Sequence, residues 1–139
     1  MPRYLVVANQ TLGSEELQAE LDRRHAAGPS SFHLLVPVTH PSGLWTEGQV
    51  HAQATERLDH SMRDLKARGF DVTGEVGDVS PVRAIGDVVL EHEFDEIVLS
   101  TLPPGPSRWL RQDVPHRVAR TSRIPVTHIV AHSVPVGAG

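Results

Sequence analysis

The residues of this chain that could bind a metal or move a proton are foremost its nine histidines, His25, His33, His40, His51, His60, His92, His116, His128 and His132. Their spacing predicts no metal site. His128 and His132 lie four apart, but in a strand-like run and its tail, where the helical geometry that presents two such ligands together is absent. His51 and His60 share a helical stretch but are nine apart, about two and a half turns, and so face different ways. A tetrahedral metal needs about three or four converging ligands. With no cysteine in the chain, thiolate sites, thiol nucleophiles and disulfides are excluded together. A hydroxyl nucleophile needs a base within reach, and the Gly-x-Ser-x-Gly elbow is absent. Ser100 and Thr101 end an apolar run where a reactive group could sit, but their expected role is to hydrogen-bond the turn or a ligand. We therefore expect a protein that is not an enzyme.

The other candidates are charged or aromatic. Arg108, Arg111 and Arg117 form a positive cluster that either grips an anion with forked hydrogen bonds or solvates the start of a helix. Asp78 is expected to brace a turn rather than act as a base, because Asp readily satisfies turn backbone. Trp109, in a chain with few aromatics, is expected to pack a short turn onto a sheet rather than stack on a base.

The elements that must position these residues are read from periodicity. Short β-branched runs alternate with amphipathic stretches, the pattern of βα units in a mostly parallel sheet. Five strands and four helices are predicted. The strands are Tyr4 to Ala8, Phe32 to Val38, a half-exposed run through Phe70, Val72, Gly74 and Val76, then Glu96 to Ser100, and Pro125 to Ala131. A first helix starts after Ser14 as N-cap, carries Leu17 and Leu21 on one face, and stops at Gly28. After a loop from His40 to Trp45, Thr46 and Gln49 form a capping box. Val50, Ala54, Leu58, Met62 and Leu65 then recur at helical spacing until Gly69. Ser80 and Pro81 open a third helix with Val82, Ile85, Val88 and Val89 on its stripe. The segment Thr101 to Gln112 holds a short helical turn around Trp109, and Asp113 is expected to cap the fourth helix, which runs to about Thr121. In such a sheet, ligands sit beyond the carboxyl ends of the strands where the winding reverses. With strand order 3-2-1-4-5 that crevice lies between strands 1 and 4, walled by Asn9 to Gly13 and Ser100 to Asp113.

Composition sets the bounds. A chain of 139 residues suits one domain, expected over residues 1–133 with 134–139 as a frayed tail. A formal net charge of -4 gives no reason to expect nucleic acid or an anionic membrane as partner. The apolar runs fall far short of the ~20 residues that span a bilayer. With no leader-like segment ahead of the first strand, a cytoplasmic location is expected.

The stretch Gly77-Asp78-Val79-Ser80-Pro81-Val82-Arg83-Ala84-Ile85, then Phe94-Asp95-Glu96-Ile97-Val98-Leu99, then Arg123-Ile124-Pro125-Val126-Thr127, resembles the universal stress protein family. There a Gly-Asp-x-Pro turn opens helix 3, an acidic residue precedes strand 4, and a proline starts strand 5. The resemblance covers about residues 3–131. It implies an α/β fold: one domain, an open five-stranded parallel sheet of order 3-2-1-4-5 with helices on both faces, of the adenine nucleotide alpha hydrolase-like kind.

The ATP-binding branch of that family carries an aspartate after strand 1 and three spaced glycines after strand 4, the last followed by serine or threonine. At those places this chain has Asn9, Ser100, Pro103 and Asp113-Val114, with Gly105 as a nearby glycine. Such glycines let backbone amides approach phosphate oxygens, and proline has no amide to donate. No cofactor is expected, and ATP and AMP are disfavoured. What the resemblance leaves is a regulatory or binding module with at most weak nucleotide or small-anion binding. The candidate ligand-binding residues are Asn9, Gln10, Val38, Gly77, Asp78, Ser100, Thr101, Gly105, Ser107, Arg108 and Asp113. Two alternatives stand beside this reading: a ligand-free dimeric interaction module, and an ATP- or AMP-binding stress protein. The last strand should lie at a sheet edge, where Val126, Thr127, Ile129 and Val130 would form a homodimer interface.

Overall fold

The computed structural model describes residues 1–38, 46–77, 79–104 and 107–132. In chain order the elements are β1 (Arg3–Val7), α1 (Glu15–Ala27), β2 (Ser31–Pro37), α2 (Glu47–Ala67), β3 (Asp71–Gly77), α3 (Pro81–Glu91), β4 (Glu96–Thr101), α4 (Arg108–Arg111), α5 (Val114–Ser122) and β5 (Val126–Val130). The strands form one sheet in the order β3-β2-β1-β4-β5, and every neighbouring pair is parallel. The α/β class and the strand order are therefore as expected. Each boundary has a local cause. Ser14 accepts the amide of Leu17 at 3.2 Å and starts α1. At α2 the capping box is complete, with Gln49 N–H donating to Thr46 Oγ1 at 3.1 Å and Thr46 N–H to Gln49 Oε1 at 2.8 Å. Gly69 follows that helix at φ 89, a left-handed conformation that glycine adopts without Cβ strain.

Two apolar clusters fill the two faces of the sheet. On one, Leu17 and Leu21 of α1 and Ala54, Leu58 and Leu65 of α2 cover Val6, Leu34, Val98 and Ile129. On the other, Ala84, Ile85 and Val88 of α3, Trp109 of α4, and Val114 and Val118 of α5 cover Leu5, Val7, Ile97 and Leu99. β1, β2 and β4 are buried over most of their length, which is why their sequences are largely apolar. β3 lies at an edge and is half-exposed, as its alternation implied.

Two expectations change. Among the described residues there are five helices rather than four, because the turn around Trp109 is a separate helix with its own cap, Ser107 Oγ accepting Leu110 N–H at 3.2 Å. Asp113 occupies the N-cap position of α5 without capping it by its side chain: its backbone is left-handed at φ 55, ψ 40, and its carboxylate instead meets His116 Nδ1 at 3.4 Å. The left-handed backbone follows from chaining two helices end to end, which forces a sharp turn at the junction. The loop His40 to Trp45, Asp78, Gly105 and the tail 134–139 lie outside the described residues.

Candidate functional site

The crevice sits where β1 and β4 end side by side. Val7 pairs with Leu99, so the segment from Ala8 onward and the segment from Ser100 onward diverge from a common point. After β1 the chain folds into two tight turns, Leu12 N–H to Asn9 O at 3.1 Å and Ser14 N–H to Thr11 O at 3.0 Å, and so delivers α1 directly. Ser100 Oγ donates to Thr11 Oγ1 at 2.8 Å, and both side chains are buried. This bond ties the two walls together. Where the nucleotide-binding pattern has a glycine, Ser100 therefore presents a hydroxyl to the opposite wall and not an open backbone to a phosphate. Thr101 Oγ1 is 2.8 Å from His128 Nε2, across to β5. Partial burial disfavours the charged form of this ring and holds the His128 pKa below its ordinary value.

At the β1 end, Asn9 is buried and both ends of its amide are engaged. Nδ2 donates to the Pro37 carbonyl at 2.7 Å, and Oδ1 accepts from the guanidinium of Arg57, which reaches in from α2. A carbonyl cannot donate and a guanidinium cannot accept, so this amide orientation is forced. Burial lowers the Arg57 pKa from its ordinary value. Gln10 is half-buried in the turn that follows. Val38 is half-buried, and its amide donates to Gly77 O at 3.3 Å, extending the β2–β3 ladder by one bond.

Of the expected site residues, the structure thus brings Asn9, Gln10, Ser100 and Thr101 to the crevice. Several of the others have structural duties. A Cβ on Gly77 would lie 2.9 Å from Ala84 Cβ and 2.9 Å from Leu35 Cδ1, so this glycine lets α3 close onto the sheet. Ser107 is a helix cap, and Trp109 is packed into the second core cluster, as expected. Arg108 and Asp113 are exposed, as are Arg111 and Arg117. Along β5, Ile129 faces the first core cluster and Thr127 Oγ1 donates to Glu96 Oε2, while Val126 and Val130 are half-buried. Among the described residues no group of His, Asp and Glu could hold a metal ion, and no helix is long and apolar enough to cross a membrane.

Sequence reasoning missed Arg57 and Thr11. Arg57 stands beside the apolar stripe of α2, next to Leu58, and nothing in helical periodicity marks it as the partner of a residue 48 positions away. It also missed the ion-pair cluster beneath the sheet. Arg24 of α1 holds Glu96 through Nε at 3.2 Å and Nη2 at 2.8 Å, and also pairs with Glu20.

As a test of fit, a nucleotide's phosphates would need inward amides and an open helix N-terminus at this loop. Among the described residues of the loop, the following stand in the way. Pro103 and Pro104 have no amide to give, Ser107 already caps α4, and the exposed Asp113 carboxylate stands at the start of α5.

A model of the universal stress protein family matches residues 7–129. No curated protein matches the chain significantly. Among solved structures, a universal stress protein in complex with cAMP is similar at 20% identity and a TM-score of 0.62, over 94% of this chain and 97% of that one. A universal stress protein family protein from Arabidopsis thaliana with AMP bound is similar at 12% identity and a TM-score of 0.67, over 99% of this chain and 98% of that one. The universal stress protein UspA from Lactobacillus plantarum is similar at 18% identity and a TM-score of 0.58, over 92% of this chain and 97% of that one. At such identities these likenesses speak for the fold, while the family model spans most of the sequence: the chain belongs to the universal stress protein family.

Proposed function

We propose that this chain is a non-enzymatic binding module of the universal stress protein type, working in the cytoplasm, which holds a small anion and at most weakly a nucleotide in the β1/β4 crevice. Relatives of the same fold have been solved with cAMP and with AMP, which favours a ligand-binding role, and the crevice follows from the rule that ligands sit where the winding of such a sheet reverses. The observation that carries the departure from them is the buried bond from Ser100 to Thr11, which joins the walls where a phosphate chain would need open backbone. The prolines of the following loop remove donors on the same side. No cofactor is part of this reading. Arg108, Arg111 and Arg117 are exposed, and in this reading they add positive charge for an anion. Self-association through β5, an open sheet edge, fits the same family and the apolar Val126 and Val130. The test is isothermal titration with Mg-ATP, AMP, cAMP and inorganic phosphate. Phosphate binding with ATP weaker than about 100 μM, roughly -5.5 kcal/mol, is the expected result, and a low-micromolar ATP constant would overturn it.

A further inference from the structure

We propose that the exposed side of α4 and α5 is a docking surface for an acidic polypeptide segment, held through its carboxylates. Such a partner would be bound whether or not the crevice holds a ligand. The first ground is the distribution of charge. Residues 107–125 carry five arginines, Arg108, Arg111, Arg117, Arg120 and Arg123, against the one carboxylate of Asp113. That is +4 within a chain of net charge -4, so the rest of the chain carries -8.

The second ground is that the fold does not neutralise this charge. All five arginines are exposed, and among the described residues none of them is ion-paired, whereas Arg23, Arg24 and Arg68 each hold a carboxylate. Arg117 gives one long bond, 3.4 Å, to the neutral Gln112 carbonyl, and Asp113 meets His116 instead of an arginine. Local electrostatics run the same way. Arg117 and Arg120 lie three apart on α5, where like charges repel. α5 has no acidic residue in its first turn, where α1 has Glu15 and Glu16, so the charge that suits its dipole is missing. Positive charge that weakens the helix alone stabilises it once a negative partner lies on it.

The third ground is what this surface suits. Trp109, Val114 and Val118 are buried in the second core cluster and fix both helices to the sheet, so the arginines stand on a preformed surface. α5 has nine residues, about 14 Å of helix at ~1.5 Å per residue, which about four or five extended residues match at ~3.3 Å each. A guanidinium fork fits a carboxylate with two parallel bonds. Nucleic acid and lipid surfaces fit less well, because both are extended polyanions that would also meet the -8 on the rest of the chain. Single strands are held largely by stacking on aromatic side chains, and interfacial helices insert aromatic or long apolar ones. The large apolar side chains exposed among the described residues, Met1, Val79 and Leu90, all lie outside α4 and α5. A short acidic segment meets the basic surface alone.

The test uses the full chain and fluorescence anisotropy with labelled octaglutamate, with octaglutamine as the uncharged control and octathymidylate and phosphatidylserine vesicles as competing polyanions. Octaglutamate should bind the native protein and octaglutamine should not, and raising the salt from about 0.05 M to about 0.5 M should remove most of the binding. Arg120→Gln combined with Arg123→Gln should weaken it about tenfold, the loss of two exposed charge pairs. The matched change on α2, Arg63→Gln with Lys66→Gln, removes two exposed charges elsewhere and should leave affinity within about twofold. Circular dichroism checks the fold of each variant. Unchanged affinity in the α5 double variant would overturn the proposal, as would an equal loss in the α2 one, which would mean that net charge and not this surface is recognised. Octaglutamate failing to bind the native protein would overturn it too, and so would octathymidylate or vesicles binding more tightly than octaglutamate.

Discussion

At the scale of single residues, the polar side chains around the crevice are mostly bonded to one another, and this has measurable consequences. Ser100 and Thr11 are a buried hydroxyl pair. Replacing either alone, as Ser100→Ala or Thr11→Val, leaves one hydroxyl unsatisfied and should cost about 1–3 kcal/mol in chemical denaturation. The double variant should be less destabilised than the sum of the two, and strict additivity would show that the bond is not made in solution. Glu96 makes a pH-dependent contribution. Its partial burial favours the neutral acid, but the bonds from Arg24 and Thr127 outweigh this and hold its pKa below the ordinary 4.5. Because the folded value is the lower one, the stabilisation is present above pH 4.5 and is lost as pH falls below it. Glu20 shifts in the same direction: its burial is likewise outweighed by its bonds to Arg23 and Arg24. Glu96→Gln should therefore lower stability at pH 7 by about 2 kcal/mol, the order of a hydrogen-bonded charge pair. It should also flatten the acid limb of a stability–pH curve. An acid limb identical to that of the native protein would mean that the cluster does not drive acid unfolding.

At the scale of elements, the strand and helix ends decide what can reach the crevice. Asp95 at the start of β4 is clamped to β1, its carboxylate accepting Arg3 N–H at 2.7 Å and its own amide donating to Arg3 O at 2.8 Å. The acidic residue before strand 4 thus pins the two central strands in register. The junction of α4 and α5 turns on Asp113, a left-handed residue with no side-chain cap. A non-glycine residue pays roughly 1 kcal/mol for that conformation, and the exposed contact with His116 returns little. Asp113→Gly should thus leave thermal stability unchanged or raise it by a few degrees; a clear loss would mean that its carboxylate caps α5 after all. Gly77→Ala is the opposite case. Its added methyl meets Ala84 Cβ at 2.9 Å, a contact between two elements that cannot rotate away. A cost of about 1–3 kcal/mol is expected, read from the shift in denaturation midpoint.

At the scale of the whole molecule, the sheet ends at β3 on one side and β5 on the other. β3 carries Asp71 and Glu75, charges of the kind that discourage further pairing. β5 offers Val126, Thr127, His128 and Val130 with no charge beyond the histidine. We expect a dimer of about twice 15.2 kDa by light scattering at micromolar concentration. The informative substitution is Val130→Lys at the half-buried end of the strand. Ile129 is unsuited because it is part of the core, and a lysine there would unfold the monomer. Val130→Lys should give a folded monomer; a dimer that survives it would place the interface elsewhere.

The architecture was legible in the sequence because burial and capping leave local signatures. Buried central strands read as largely apolar runs, and Ser14, Thr46 and Ser80 each stand immediately before the first residue of a helix. Strand order was not legible in periodicity and came only with the family resemblance. What tertiary structure alone decided is which polar groups meet. Thr11 with Ser100 is an encounter across 89 positions, Asn9 with Arg57 across 48, and Arg24 with Glu96 across 72. Periodicity reports the face a residue occupies, not which residue of a distant segment stands opposite it. That pairing depends on strand register and on how α1 and α2 settle on the sheet. Asp113 makes the same point in reverse. Its residue type and its place before a helix suggest a cap, but the backbone there is left-handed, and the side chain makes no bond to the amides it would have capped.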